Sequence, residues 1–133
     1  MIYLDTHVAV WLYAGLQDSL PAPARAAMEK GDLLVSPMVV LELQYLFEIG
    51  RIKVAADTLM SALGREIGLK VCNLPFEQIA ESALAESWTR DPFDRIIVGQ
   101  ARLRGVRLVS KDRHIHDNYP QALWSAEVAG STP

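Results

Sequence analysis

The 133-residue chain has one cysteine, Cys72, and no apolar run long enough to suggest a membrane span. A single thiol excludes an internal disulfide and a multi-cysteine zinc site. With Val71 and Leu74 around it, Cys72 reads as a buried core thiol. A bilayer crossing takes roughly 20 consecutive apolar residues, so no membrane association is expected. Met1 leads directly into a strand-like run, with no charged leader and apolar stretch behind it, and a cytoplasmic protein is therefore expected. Also missing are Gly-x-Gly-x-x-Gly, a Walker-type loop, a serine-centred elbow and a helical His-x-x-x-His pair. Their absence removes support for nucleotide-cofactor chemistry, a hydrolase triad and zinc proteolysis. His114 and His116 fall in an expected loop and read as exposed polar residues. Trp11, Trp88 and Trp124 read as core or interface residues rather than as base-stacking platforms.

Half the residues are apolar and mean hydropathy is slightly positive. A crowded α/β core accounts for this, with room for an oligomer or partner interface. The length fits one domain with a proper core, expected to occupy residues 1–128, with 129–133 as a frayed tail. Net charge is −3, a weak argument against nucleic acid, but the charge is unevenly placed. Seven of the thirteen basic residues lie between Arg90 and Arg113, a window of net +4, while the remainder carries −7. That window reads either as a solvated helix face or as an edge turned towards a polyanion.

Strand-like and helix-like segments alternate without repeats or linkers. Strands are expected at 2–5, 33–36, 69–72 and 106–110, with an edge strand at 122–124. Helices are expected at 6–14, 23–30, 37–48, 53–66, 75–87 and 92–104, and a loop or single turn at 115–119. Thr6 is expected to cap the first helix, and Ser36-Pro37 and Asp91-Pro92 pair an N-cap with a first-turn proline. The pattern predicts an α/β fold: a three-layer α/β/α sandwich on a mostly parallel, doubly wound sheet of about five strands. In such sheets sites form at the carboxyl ends of strands, where the strand order reverses. An order of 3-2-1-4-5 makes the first and fourth strands neighbours at that point.

Four distant acids gather there in this scheme. Asp5 closes the first strand, Asp112 follows the fourth, Glu42 lies in the helix after the second, and Asp94 opens the helix before the fourth. Asp5 and Asp112 would also serve as helix caps, and Asp91 is fully explained as one. Glu42 is harder to explain structurally, because apolar residues flank it and a buried, unpartnered carboxylate costs several kcal/mol. Four carboxylates about 5 Å apart make six repulsive pairs of roughly 3 kcal/mol each at an effective dielectric of about 20. The total, on the order of 20 kcal/mol, exceeds the about 5–15 kcal/mol by which a domain is ordinarily stable. Either some of the acids are protonated or a divalent cation binds. Hard oxygen donors without His or Cys select Mg²⁺, or Mn²⁺.

Four short motifs in this order carry a family resemblance across essentially the whole chain. They are Leu4-Asp5-Thr6-His7, Ser36-Pro37-x-x-x-Leu41-Glu42-Leu43, Arg90-Asp91-Pro92-Phe93-Asp94-Arg95 and Leu108-Val109-Ser110-Lys111-Asp112. Together they resemble the PIN-domain ribonucleases, and in particular the VapC-type toxins of type II toxin–antitoxin systems. The resemblance implies Asp5, Glu42 and Asp94 as metal-binding acids and Asp112 as a less constant fourth, with Asp117 as its alternative. It matches Thr6 and Ser110 to supporting hydroxyl positions, and Asp91 to a recurring residue left outside the catalytic set because its capping role suffices. It further implies RNA as substrate, products with 5′-phosphate and 3′-hydroxyl ends, inhibition by a cognate antitoxin, and a homodimer or a hetero-oligomer with that antitoxin. Metal-activated water would attack the phosphodiester in line, and Arg95, Lys111 and Arg113, which flank the acids, are expected to hold neighbouring phosphates.

Two other classes stay open on the residues alone. One is a PIN-type RNA- or protein-binding module without catalysis, which the presence of all four acids disfavours. The other is a metal-dependent phosphohydrolase of small substrates. Its haloacid-dehalogenase form needs a second aspartate two residues after Asp5, where His7 stands.

Overall fold

In the computed structural model, which describes residues 1–125, the chain forms one five-stranded sheet in the order β3-β2-β1-β4-β5. The strands are β1 (Ile2–Leu4), β2 (Leu33–Val35), β3 (Lys70–Val71), β4 (Arg107–Val109) and β5 (Ala122–Leu123). Every pairing is parallel, and Leu4 lies opposite Val109 where β1 meets β4. The expected strand order is thus the observed one. The expected domain end at 128 and the tail at 129–133 lie outside the described residues.

Parallel strands covered on both faces need continuous apolar runs, and β1 and the end of β4 supply them. Ile2, Tyr3, Leu4, Leu108 and Val109 are all buried. The described helices are α1 (Thr6–Tyr13), α2 (Ala22–Lys30), α3 (Pro37–Glu48), α4 (Ala56–Ile67), α5 (Phe76–Ala83), α6 (Pro92–Arg104) and α7 (Arg113–Asn118). They flank the sheet as a three-layer α/β/α sandwich. None is long and apolar enough to cross a membrane.

The caps explain the helix starts. Ser36 accepts a hydrogen bond from Met38 N–H and Asp91 from Phe93 N–H, each with proline in the first turn. The first helix corrects the expectation for Thr6. Asp5 is the cap, accepting from the Thr6 N–H at 2.8 Å, and this leaves the threonine hydroxyl for another partner. The segment expected as a loop or single turn at 115–119 is the C-terminal part of the short helix α7 and its C-cap, Tyr119, and Asp112 nucleates that helix by accepting from both His114 and Ile115 N–H. His114 and His116 are therefore helical.

Two helices are shorter than their sequence patterns. After α3 the chain folds back, with Arg51 N–H on the Leu46 carbonyl, so α4 begins only at Ala56. Its first N–H donates to Gln44 of α3, a cap supplied by another helix. α5 stops at Ala83 because the chain turns inward and buries Glu86, whose carboxylate takes Arg102 Nε at 2.8 Å and Trp88 Nε1 at 2.8 Å.

α5 and α6 pack at a point with no space for a side chain. A Cβ at Gly99 would stand 2.9 Å from Ala83 Cα and 3.0 Å from its N. Ser82 Oγ donates to the Gly99 carbonyl at 2.8 Å across the same contact. Because α6 carries Asp94 in its first turn, this contact also sets the site. Gly99→Ala is expected to destabilise the protein by about 1–3 kcal/mol through overpacking, read by urea unfolding. An unchanged midpoint would mean that the helices separate freely.

Candidate active site

The carboxyl ends of β1 and β4 open into a cleft of about 400 Å³. Five carboxylates line it: Asp5, Glu42, Asp91, Asp94 and Asp112. All four expected acids are therefore brought together, and Asp91 joins them while still capping α6.

The acids are held in different ways. Asp5 is buried, with Oδ1 on the Thr6 N–H and Oδ2 accepting from the Ser110 hydroxyl at 2.7 Å. Thr6, itself fully buried, donates its hydroxyl to Glu42 Oε1. Ser110 Oγ also accepts from the Asp112 N–H at 3.0 Å. A hydrogen-bonded line thus runs from Asp112 through Ser110, Asp5 and Thr6 to Glu42, so that both expected hydroxyl residues donate to a cleft carboxylate. Asp94 is the exception. Among the described residues nothing donates a hydrogen bond to its carboxylate.

Protonation follows from this arrangement. Burial pushes the carboxyls of Asp5 and Glu42 up, against the pull of the hydroxyls bonded to them. Asp94 is pushed up to about 7, first by burial and then by the charges of Asp91, Asp5, Asp112 and Glu42. A carboxyl raised this far lacks compensating positive charge.

The lining suits a hard divalent cation, because its converging donors are carboxylate oxygens. Among the described residues no three His, Cys, Asp or Glu side chains already form a metal-holding group. A closed four-ligand zinc site does not fit that geometry. An ion that keeps several waters and takes one or two protein carboxylates together with substrate oxygens does.

The expected basic residues separate. Lys111 lines the cleft. Arg95 instead donates to the Ala83 and Leu84 carbonyls at the end of α5. Arg113 is exposed at the start of α7, Asp117 is exposed further along it, and neither lines the cleft. Much of the basic window is engaged elsewhere: Arg102 holds Glu86 and the Asn118 carbonyl, and Arg104 reaches Tyr3 Oη at 3.4 Å.

Three lining residues, His7, Val8 and Trp11, were not among those expected. The helical spacing of His7 and Trp11, four residues apart just after Asp5, was the available signal.

A model of the PIN domain family matches residues 2–119. The chain belongs to the PIN-domain family. It is 31% identical over 131 residues to Ribonuclease VapC22 of Mycobacterium tuberculosis, covering 92% of this chain and 98% of that protein. Two solved structures share the fold. A toxin–antitoxin complex from Klebsiella pneumoniae aligns with a TM-score of 0.65 and 18% identity, over 92% of this chain and 96% of that one. VapBC2 from Rickettsia felis, bound to a promoter DNA fragment, aligns with 0.61 and 15%, over 93% and 99%. This PIN domain is thus a VapC homologue.

The state of Asp94 has a measurable consequence. A carboxyl raised in the fold binds its proton more tightly there than in the unfolded chain. Its contribution to stability is complete below the ordinary value of 3.8 and is lost as pH rises through about 7. In metal-free protein the melting temperature of Asp94→Asn, relative to wild type, is expected to climb across that window. A constant difference would show that Asp94 is not crowded by other carboxylates.

Proposed function

We propose that this PIN-domain protein is a Mg²⁺-dependent endoribonuclease of the VapC type, the toxin of a toxin–antitoxin pair, acting in the cytoplasm with residues 1–128 as its nuclease domain. The observation that carries this reading is the cleft itself, where Asp94 is lifted to about 7 among four other carboxylates. So strong an accumulation of negative charge calls for a cation, and the ribonuclease named among its relatives supplies the substrate class.

Asp5, Glu42 and Asp94 would hold the ion, one or two of them directly and the rest through its waters, with Asp112 as the fourth acid. Bound there, Mg²⁺ (or Mn²⁺) lowers the pKa of water and offsets charge on the phosphodiester. Ser110 and Thr6 fix the first two acids by giving hydrogen bonds to Asp5 and Glu42, so these carboxylates need no rearrangement when the substrate arrives. Asp94 has no such donor among the described residues and is the acid whose charge would depend most on the ion. Lys111, at the cleft, attracts the phosphate that the acids repel. In-line attack by water breaks the P–O3′ bond; a cleft carboxylate or solvent takes the proton of the water, solvent returns one to the departing O3′, and the products end in a 5′-phosphate and a 3′-hydroxyl.

The antitoxin partner rests on the toxin–antitoxin complexes among the structural neighbours, and the oligomer, a homodimer or a hetero-oligomer with antitoxin, is proposed with it.

Asp5→Asn and Asp94→Asn are each expected to lower cleavage of a labelled RNA pool by at least about 100-fold, with circular dichroism unchanged. EDTA should stop the wild type, and added Mg²⁺ or Mn²⁺ should restore it. Full turnover by either purified variant would refute the assignment of the site. Cleavage that persists in EDTA would remove the cation from the reaction.

A further inference from the structure

Beside its carboxylates the cleft has a second kind of lining, made by His7 and Trp11 of α1 and by Lys111 after β4. His7 and Trp11 share a face of the helix, with ring centroids 6.3 Å apart. The Trp11 indole packs on Trp124, at 5.7 Å and an interplanar angle of 53°, and is half-buried. The exposed Lys111 ammonium sits 6.0 Å from the indole centroid, at the outer reach of a cation–π contact.

These groups are superfluous for holding a cation. They make sense as contacts to the rest of the substrate, an inference that rests on the nuclease reading above. A cleft with five carboxylates repels a phosphodiester. An indole face is uncharged and stacks on any nucleobase, and a lysine ammonium pairs with phosphate. Asp5 caps the helix that carries Trp11, so the platform lies about 9 Å along the axis from the acid, a fixed offset from the reacting phosphate. Stacking on a protein ring requires a base that is free of duplex pairing.

We infer that Trp11 and Lys111 form a subsite for an unpaired nucleotide beside the bond to be cut. The indole takes the base and the ammonium takes an adjacent phosphate. Trp11, expected from sequence to be a core or interface residue, packs against Trp124 and also serves the cleft.

The test is equilibrium binding in the Asp94→Asn background with Mg²⁺, where RNA stays uncut. A fluorescein-labelled oligoribonucleotide is compared unpaired and annealed to its complement. The unpaired form is expected to bind more tightly. Adding Trp11→Leu, which keeps apolar bulk against Trp124 but removes the ring, should weaken unpaired binding by roughly 5- to 100-fold, whereas Trp11→Phe should keep most of it. Lys111→Gln should lower the salt slope by about one. Unpaired RNA should also quench a tryptophan signal that is missing in Trp11→Phe, a readout that does not depend on whether Trp11→Leu folds. Unchanged affinity in Trp11→Leu, or quenching retained in Trp11→Phe, overturns the subsite. Wild-type cleavage is measured separately. Cut RNA with Trp11-independent binding removes the subsite alone, while Trp11-dependent binding without any cutting sustains the subsite and removes the nuclease reading.

Discussion

The bond from the Ser110 hydroxyl to the Asp5 carboxylate joins residues 105 positions apart, and it exists only because β1 and β4 are neighbours in a parallel sheet. The backbone repeats the tie, with Asp5 N–H on the Val109 carbonyl at 3.0 Å. From this junction the other hydroxyl bonds extend to Asp112 on one side and Glu42 on the other. Left to themselves the acids would separate. The sheet and two hydroxyls hold them near each other, and the repulsion that results would make a cation favourable there. Asp94, brought in by a different helix and with no hydrogen-bond donor among the described residues, is where that repulsion is most visible.

Much of this was legible in the chain. Short apolar runs separated by helical patterns specify a parallel sheet. Serine or aspartate followed by proline marks the starts of α3 and α6, because those caps act through neighbours two residues away. What depends on distant partners was hidden. Asp5 and Thr6 are both good caps by type, and only the position of Glu42 decides that threonine turns its hydroxyl away. The helix α7 has six residues, too few for a periodic pattern, and its existence rests on Asp112 accepting two N–H groups. Glu86 sits between Ala85 and Ser87, without the continuous apolar run that surrounds Glu42, and its partner Arg102 is sixteen residues away. The basic window left two readings open for a related reason. A count of charges does not say which guanidinium groups are already committed to carbonyls, as Arg95 and Arg102 are.

The same hidden pair bears on the site. Arg102 spans the buried Glu86 carboxylate and the Asn118 carbonyl at 2.7 Å, and Asn118 ends α7. A cation at a helix C-terminus complements its dipole, as the Asp112 carboxylate does at the other end. The short helix that would otherwise be marginal is therefore held from both sides: by a cleft acid at its start and by an ion pair rooted in α6 at its finish. Tyr119 adds to this, with its ring 5.0 Å beneath the Arg102 guanidinium and its hydroxyl donating to the Val106 carbonyl. Removing one partner of a buried pair leaves the other charge unpaired, a loss of about 3–5 kcal/mol. Solvent exposure of Arg102 lowers that figure, but the direction is set by Glu86, which has almost no access to water. The position of Asp112 in the cleft thus depends on residues that do not line it.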